Sequence, residues 1–222
     1  MCKKKAILFD LGDIFFEAHF WRKWNYDYLV MKGLFTGDFF AFYNYYEKFL
    51  KSAYEGKKKY VNAFDDFVQS LDLENSEEFK KKSLEVKNKF ERERELFPNV
   101  LNTLSELKKR KIDSIVVSDN ESSGEMLRKT ILNNFGLANL VNKVYTSKDL
   151  HCTKPSAEFF NNVLSDLGLK VKDVIFVAHD RDEINGAIKL GIDTIEFNNY
   201  LGVDTDASVR IKNFEEILTY CK

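Results

Sequence analysis

The chain has 222 residues with 34 basic and 35 acidic side chains, so its formal net charge of −1 produces no field that would attract a nucleic acid. Hydrophobic residues make up 44% and charged residues 31%, a balance typical of a globular protein and not of a disordered one. No apolar run approaches the ~20 residues of a membrane-spanning helix. Three widely spaced cysteines, Cys2, Cys152 and Cys221, are typical of reduced thiols, so we predict a cytoplasmic protein. From the charge and the apolar runs we predict no nucleic-acid partner and no membrane partner.

The first predicted strand covers residues 5–11, a short apolar run that is ended by an acid and a glycine. Such runs are typical of a central strand that is covered on both faces. Similar runs predict four further strands, at residues 114–119, 143–147, 174–178 and 194–197. Helical patterns lie between them, at residues 99–110, 125–135, 156–167 and 183–190. This alternation predicts βαβ units, and hence a parallel sheet with right-handed crossovers.

The segment from about residue 15 to residue 95 interrupts the alternation. It contains no convincing strand, and it holds both tryptophans and several helical patterns. One of these patterns covers residues 39–54, and another is the highly charged stretch at residues 77–95. We interpret the segment as a helical insertion that directly follows the first strand.

Several polar groups are expected at one edge of the predicted sheet, because ligands of open parallel sheets bind beyond the carboxyl ends of the strands. They are Asp10 after the first strand, Ser118 and Asp119 at the end of the second, His179 and Asp180 after the fourth, and Lys154 in the loop that opens a helix. A carboxylate, a hydroxyl and a lysine in one place are suited to phosphate chemistry. The carboxylate attacks, the hydroxyl and nearby N–H groups hold the phosphoryl oxygens, and the lysine neutralises developing charge.

Four segments in this order resemble the motifs of the haloacid dehalogenase superfamily, in the branch with a helical cap after the first strand. ILFDLGD resembles the first motif, IVVSD the second, TKPSAEFF the third and VIFVAHDRDEINGAIKLGI the fourth. The resemblance implies a three-layer, Rossmann-type α/β core with a parallel sheet, made of residues 1–14 and 96–222, and a helical cap of residues 15–95.

The resemblance also implies functions for particular residues. Asp10 matches the nucleophile, which would form an aspartyl-phosphate with a small phosphorylated substrate. Ser118, the N–H of Asp119 and Lys154 match the groups that hold the phosphate. The family implies a divalent metal, with Mg²⁺ expected. We expect the protein to be a monomer or a homodimer.

Two positions depart from the family pattern. The aspartate that usually protonates the leaving group, two residues after the nucleophile, is replaced by Gly12, as in a subgroup that resembles small sugar-phosphate phosphatases. Asp13 is one residue further on and would substitute only if the turn rotates. In the fourth motif, His179 stands where a metal-binding aspartate is usual, and Glu183 stands at the supporting acid.

The substitution at His179 affects both the metal and the energetics of attack. Mg²⁺ prefers hard oxygen ligands, so a set of Asp10, the Gly12 carbonyl, and His179 or Asp180 would favour manganese or another transition metal. Two like charges ~4 Å apart repel by about 4 kcal/mol at an effective dielectric constant of ~20. A carboxylate that attacks a phosphate dianion therefore needs more compensation than one lysine supplies.

The sequence leaves three functions open. The first is a phosphatase that acts on a small phosphorylated metabolite. The second is a metal-independent hydrolase that resembles 2-haloacid dehalogenases, although their first motif normally carries a tyrosine-glycine-threonine run where this chain has Leu11, Gly12 and Asp13. The third is a catalytically degenerate protein that binds a ligand on the same fold.

Overall fold

Six short strands, all parallel, form a single sheet in the order β3-β2-β1-β4-β5-β6. The computed structural model describes residues 4–221. The strands are β1 (Ala6–Phe9), β2 (Asp113–Ser118), β3 (Lys143–Thr146), β4 (Val174–Ala178), β5 (Asp193–Phe197) and β6 (Val209–Ile211). The five predicted strands are confirmed within a few residues. The sixth was missed, because it has only three residues and only Ile211 among them is buried.

Helices cover both faces of the sheet, and this confirms the predicted three-layer α/β core. Successive residues of β1 point to opposite sides, as a strand requires. Ile7 and Phe9 belong to one buried apolar cluster, whereas Ala6 and Leu8 belong to the other. Because both faces are buried, the central strands are continuous apolar runs rather than alternating ones.

Nine α-helices connect the strands in the described part of the chain. They are α1 (Phe20–Met31), α2 (Phe39–Tyr54), α3 (Tyr60–Gln69), α4 (Ser76–Arg92), α5 (Val100–Lys109), α6 (Gly124–Leu127), α7 (Ser147–Leu150), α8 (Ala157–Leu167) and α9 (Arg181–Lys189). Gly191 follows the end of α9 with a φ of +79°, and its N–H bonds to the carbonyl of Ile188. Glycine meets this left-handed requirement without steric cost.

The predicted helix at residues 125–135 differs from a regular α-helix. After α6, residues Arg128–Leu132 form a π-helical turn. The Thr130 hydroxyl donates to the carbonyl of Met126, an acceptor that the regular helical ladder would otherwise use. Thr130 in this turn and Asn134 after it line a cavity that lies beyond the strand ends.

Helices α1 to α4 have an apolar core of their own, which is distinct from the two clusters that flank the sheet. It is rich in aromatic rings, including Tyr46, Phe64 and Phe67. The C-terminal end of α2 rests on α7, where the Ser147 hydroxyl donates to the Tyr54 carbonyl at 2.9 Å. The domain boundaries at residues 14/15 and 95/96 stay a prediction.

No helix within residues 4–221 combines the length and the apolar character needed to cross a membrane. Cys152 and Cys221 are free and buried, as expected for reduced thiols. Cys2 lies outside the described residues.

Gly186 fixes the distance between α9 and the loop that carries Lys154. A Cβ atom at this position would lie 2.4 Å from the Pro155 carbonyl oxygen. We expect Gly186→Ala to destabilise the protein by about 1–3 kcal/mol in urea unfolding, because overpacking against backbone outweighs the higher helix propensity of alanine. Lys189→Ala, at an exposed position of the same helix, is the control. An unchanged or raised stability of Gly186→Ala would contradict this packing.

Candidate active site

Asp10 lies directly beyond the carboxyl end of β1, the strand between β2 and β4 in the sheet. Its backbone N–H bonds to the Val177 carbonyl at 3.0 Å, which holds the residue at the sheet edge. The carboxylate has two cationic or potentially cationic neighbours. Lys154 Nζ lies 2.6 Å from Oδ1, and His179 Nε2 lies 3.5 Å from Oδ2.

Lys154 has a completely buried side chain and is held by acids on three segments. Its Nζ also lies 2.7 Å from Oε2 of Glu183 on α9. Its backbone N–H donates to Asp119 Oδ1 at 3.1 Å. One ammonium group is thus shared by two carboxylates, Asp10 and Glu183, and a third carboxylate orients its main chain.

The acids of this cluster have pKa values that differ in direction. Burial alone would raise the pKa of Asp10, but the charge of Lys154 and the contact with His179 lower it to about 2. Burial raises the pKa of Asp119 to about 7, because Lys154 compensates it only in part. Burial also raises the pKa of Glu183 well above its usual range. Asp10 is therefore an ionised carboxylate beside two carboxyl groups that retain protons more readily.

Ser118 is the last residue of β2, and its side chain is buried next to the Asp10 end of the cavity. The structure therefore brings Asp10, Ser118, Asp119 and Lys154 to one sheet edge. This juxtaposition follows from the strand order, because β2, β1 and β4 are neighbours and their carboxyl ends meet. The functional roles of these residues stay a prediction.

Gly12 and Asp13 do not reproduce the usual acid. A Cβ atom on Gly12 would lie 2.9 Å from the Ala18 Cβ, so a larger side chain would displace Ala18. The Asp13 carboxylate is buried, accepts the Ala18 N–H at 2.8 Å and contacts His19 Nδ1 at 2.6 Å. Asp13 therefore holds the loop that enters α1.

A cavity of about 440 Å³ opens between this sheet edge and the inserted helices. Its far wall carries charged and phenolic side chains that sequence reasoning missed: Arg22, Tyr43, Glu47, Tyr54, Tyr60, Lys87, Glu91, Arg94 and Tyr200. They come from segments that are distant along the chain and match no motif. The alternation of aromatic and charged residues in α1 and α2 gave no sign that they would converge.

Comparison with known proteins agrees with this geometry. The family described as Haloacid dehalogenase-like hydrolase matches residues 41–197, which is more than half of the chain. The chain belongs to the haloacid dehalogenase-like hydrolase family. Comparison with the curated proteins finds no match.

Solved structures of haloacid dehalogenase-like hydrolases share the fold over nearly the whole chain. A dehalogenase has a TM-score of 0.71 at 16% identity, with 99% of this chain and 98% of that chain covered. A predicted phosphoglycolate phosphatase from Haemophilus somnus 129pt has 0.66 at 18% identity, with 100% of both chains covered. The hydrolase YfnB from Bacillus subtilis, bound to magnesium, has 0.69 at 18% identity, with 99% of both chains covered. These likenesses establish the fold.

The side chains present do not fit the Mg²⁺ that members of this family typically use. Asp180 Oδ1 accepts the N–H groups of Asp182 and Glu183 at 2.8 and 3.1 Å, so its carboxylate caps α9. With the carbonyl of Gly12, which also lines the cavity, Asp10 and His179 then offer one carboxylate, one neutral oxygen and one imidazole nitrogen, a poor donor set for Mg²⁺. Residues 4–221 contain no group of three or more His, Cys, Asp or Glu side chains arranged to hold a metal ion.

Asp119 gives a prediction about stability. Because its pKa rises from 3.8 to about 7 on folding, the unfolded state ionises first and stability falls as the pH rises between these values. Asp119→Asn removes this loss while it keeps the acceptor for the Lys154 N–H. We expect the difference in unfolding free energy, Asp119→Asn minus wild type, to be about 1 kcal/mol larger at pH 8 than at pH 5. The full pKa shift would give a larger difference, but contact of Asp119 with water in the cavity reduces it.

Urea unfolding at the two pH values measures this difference. Asp206→Asn, at an exposed position, is the control and should show no such dependence on pH. A gain for Asp119→Asn that is equal at both pH values would contradict the raised pKa.

His179 gives a prediction about metal binding. His179→Asp would place a second carboxylate beside Asp10, so we expect Mg²⁺ binding in the millimolar range or tighter by calorimetry. The unchanged protein should show no binding over the same range. Adding Asp180→Asn to the variant should leave Mg²⁺ binding intact, because Asp180 caps α9. Equal Mg²⁺ affinity of wild type and His179→Asp would refute this interpretation of the donor set.

Proposed function

We propose that this hydrolase cleaves small phosphate esters through a covalent aspartyl-phosphate on Asp10. The observation that carries the proposal is the ionised Asp10 carboxylate at the floor of a polar cavity, with Lys154 at 2.6 Å and Ser118 on the neighbouring strand. Oδ2, the oxygen that does not contact Lys154, is the attacking atom. The Ser118 hydroxyl and Lys154 would hold the phosphoryl oxygens.

The charges around Asp10 support attack on an anionic phosphate. Each pair of like charges costs about 4 kcal/mol at ~4 Å and an effective dielectric constant of ~20. Lys154 offsets one of these repulsions. Burial opposes protonation of His179, but its hydrogen bond to Asp10 and the charges of Asp13, Asp10 and Asp180 outweigh burial and raise its pKa. A protonated His179 would offset the second repulsion at 3.5 Å from Asp10.

Because Gly12 has no side chain, the proton for the leaving group would come from another residue, Asp119 or Glu183. Asp119 and Glu183 line the same cavity, and both have raised pKa values. Asp119, with a pKa of about 7, can donate a proton near neutral pH, and Glu183 holds its proton more readily than a free carboxyl group, whereas Asp10 remains ionised. This division into a low-pKa nucleophile and high-pKa acids is the arrangement that acid–base catalysis needs.

A panel of small phosphate esters, assayed with EDTA and separately with Mg²⁺ or Mn²⁺, tests the proposal. We expect phosphate release that persists in EDTA, and a mass increase of one phosphoryl group on the peptide that carries Asp10 in rapidly quenched samples. Asp10→Asn should lower kcat at least a thousandfold, because its amide cannot form the intermediate. Asp206→Asn is the control with unchanged activity.

Failure of folded protein to release phosphate under all three conditions would refute the proposal. Tight binding of a phosphorylated ligand without turnover, unaffected by Asp10→Asn, would indicate a binding protein instead.

One observation favours a second candidate, a metal-independent hydrolase of 2-haloacids. The donor set fits Mg²⁺ poorly, but displacement of a halide by Asp10 needs no metal. The carbon that Asp10 would attack is not part of a dianionic group, so the repulsion that a metal would offset is absent. Halide release from a 2-haloacid in EDTA, without phosphate release from any ester, would identify this function. Both reactions form a covalent intermediate on Asp10: attack on phosphorus gives an acyl phosphate and releases the alcohol, whereas attack on carbon gives an ester and releases the halide.

A further inference from the structure

Arg94 is a largely buried cation whose hydrogen-bonding capacity is mostly unused. Its side chain is 15% exposed and lines the cavity, with the guanidinium carbon 4.8 Å above the Phe16 ring. Within residues 4–221 it makes one side-chain hydrogen bond, from Nη2 to Glu91 Oε1 at 3.3 Å. A guanidinium carries five N–H donors, so Nε and Nη1 remain available to a molecule in the cavity.

The charge of Arg94 is only partly neutralised by Glu91. The same Oε1 atom of Glu91 accepts from Lys87 Nζ at 2.6 Å, a shorter contact than the one to Arg94. Glu121 lies 4.0 Å from Lys87 Nζ and makes no ion pair with Arg94 among the described residues. Lys87 therefore has two carboxylate partners, whereas Arg94 pairs only with Glu91, which it shares, among residues 4–221.

Arg22, the other arginine of the cavity wall, provides a contrast. Its Nε donates to Glu47, its Nη1 to the Ala18 carbonyl, and its Nη2 lies 3.5 Å from the Tyr54 hydroxyl. The donors of Arg22 thus bind groups of the protein itself, whereas Nε and Nη1 of Arg94 have no hydrogen-bond partner among residues 4–221.

We propose that Arg94 binds a second oxyanion of the substrate, so that the preferred substrate is a phosphate monoester whose other end carries a carboxylate or a second phosphate. This inference rests on the proposed phosphatase function. The fork of a guanidinium matches the two oxygens of such a group. Asp10 and Arg94 both line the cavity, whose volume of about 440 Å³ is that of a small-molecule site.

The electrostatics of the wall support the assignment. Burial lowers the pKa of Arg94, and the nearby charge of Arg22 lowers it as well, against the opposing charges of Glu91, Glu121 and Asp13. An oxyanion between these cations would offset both the desolvation and the repulsion. A substrate whose only anionic group is the phosphate ester would leave both the desolvation and the repulsion without compensation.

Matched substrates test this specificity. Phosphonooxy alkanoic acids of two to four carbons are compared with n-alkyl phosphates of equal length and with the corresponding diol bisphosphates. We expect wild type to favour one of the doubly anionic series by at least tenfold in kcat/KM, as for a charged hydrogen bond of about 1.5–3 kcal/mol. The series that is favoured identifies the carboxylate or the phosphate as the second group.

Arg94→Gln should remove the preference by raising KM for the favoured series about tenfold or more, with kcat/KM for n-alkyl phosphates changed less than twofold. Arg92→Gln, two residues away and exposed, should behave as wild type. Arg94→Lys keeps the charge but loses the fork, and it replaces Arg94→Gln if the latter does not fold. Equal kcat/KM values of wild type for the n-alkyl phosphates and for both doubly anionic series would overturn the inference, while the phosphatase function stands.

Binding measurements separate the two claims if no ester is hydrolysed. Calorimetry then compares phosphonoalkanoic acids and alkane bisphosphonates with alkylphosphonates, in wild type and in Arg94→Gln. Tighter binding of one doubly anionic series that is lost in Arg94→Gln supports the site at Arg94, even though turnover is absent. Equal affinity of wild type for the alkylphosphonates and for both doubly anionic series overturns the proposed site at Arg94.

Discussion

The buried ammonium of Lys154 is the interaction on which the rest of the site depends. It contacts Asp10 after β1 and Glu183 on α9, and its main chain is held by Asp119 after β2. A buried cation of this kind is tolerated only when its partners are in place, and loss of one partner typically costs about 3–5 kcal/mol. The same contacts that keep the charge stable therefore also fix the position of the Asp10 carboxylate, so the fold and the candidate site share one constraint.

Sequence alone was sufficient for the parts of the molecule that local chemistry determines. Central strands are continuous apolar runs, and their ends meet at one edge, so Asp10, Ser118 and His179 could be placed together before any contact was known. The wall formed by Arg22 and Arg94 could not be predicted in this way. Its residues lie on different inserted segments, and only tertiary packing decides which of many basic side chains face the cavity.

Other details depended on energies too small or too distant to read from a pattern. Strand β6 has three residues and lies at the edge of the sheet, where pairing outweighs a weak local signal. The π-helical turn at Arg128–Leu132 contains a hydrogen bond from the Thr130 hydroxyl to the Met126 carbonyl, and the apolar periodicity of the segment reveals neither. Whether Asp180 binds a ligand or caps α9 is also decided by backbone geometry, and the N–H groups of α9 take its carboxylate.

The two departures from the family pattern are physically linked. Ala18 fills the space that a side chain at position 12 would need, and Asp13 fixes Ala18 and His19 through its carboxylate. The His19 ring stacks on Tyr200 at 4.0 Å, and Tyr200 lies 5.0 Å from the His179 ring. One continuous set of contacts therefore runs from the first motif to the fourth. A side chain at position 12 would displace Ala18, which belongs to the same set of contacts as His19, Tyr200 and His179.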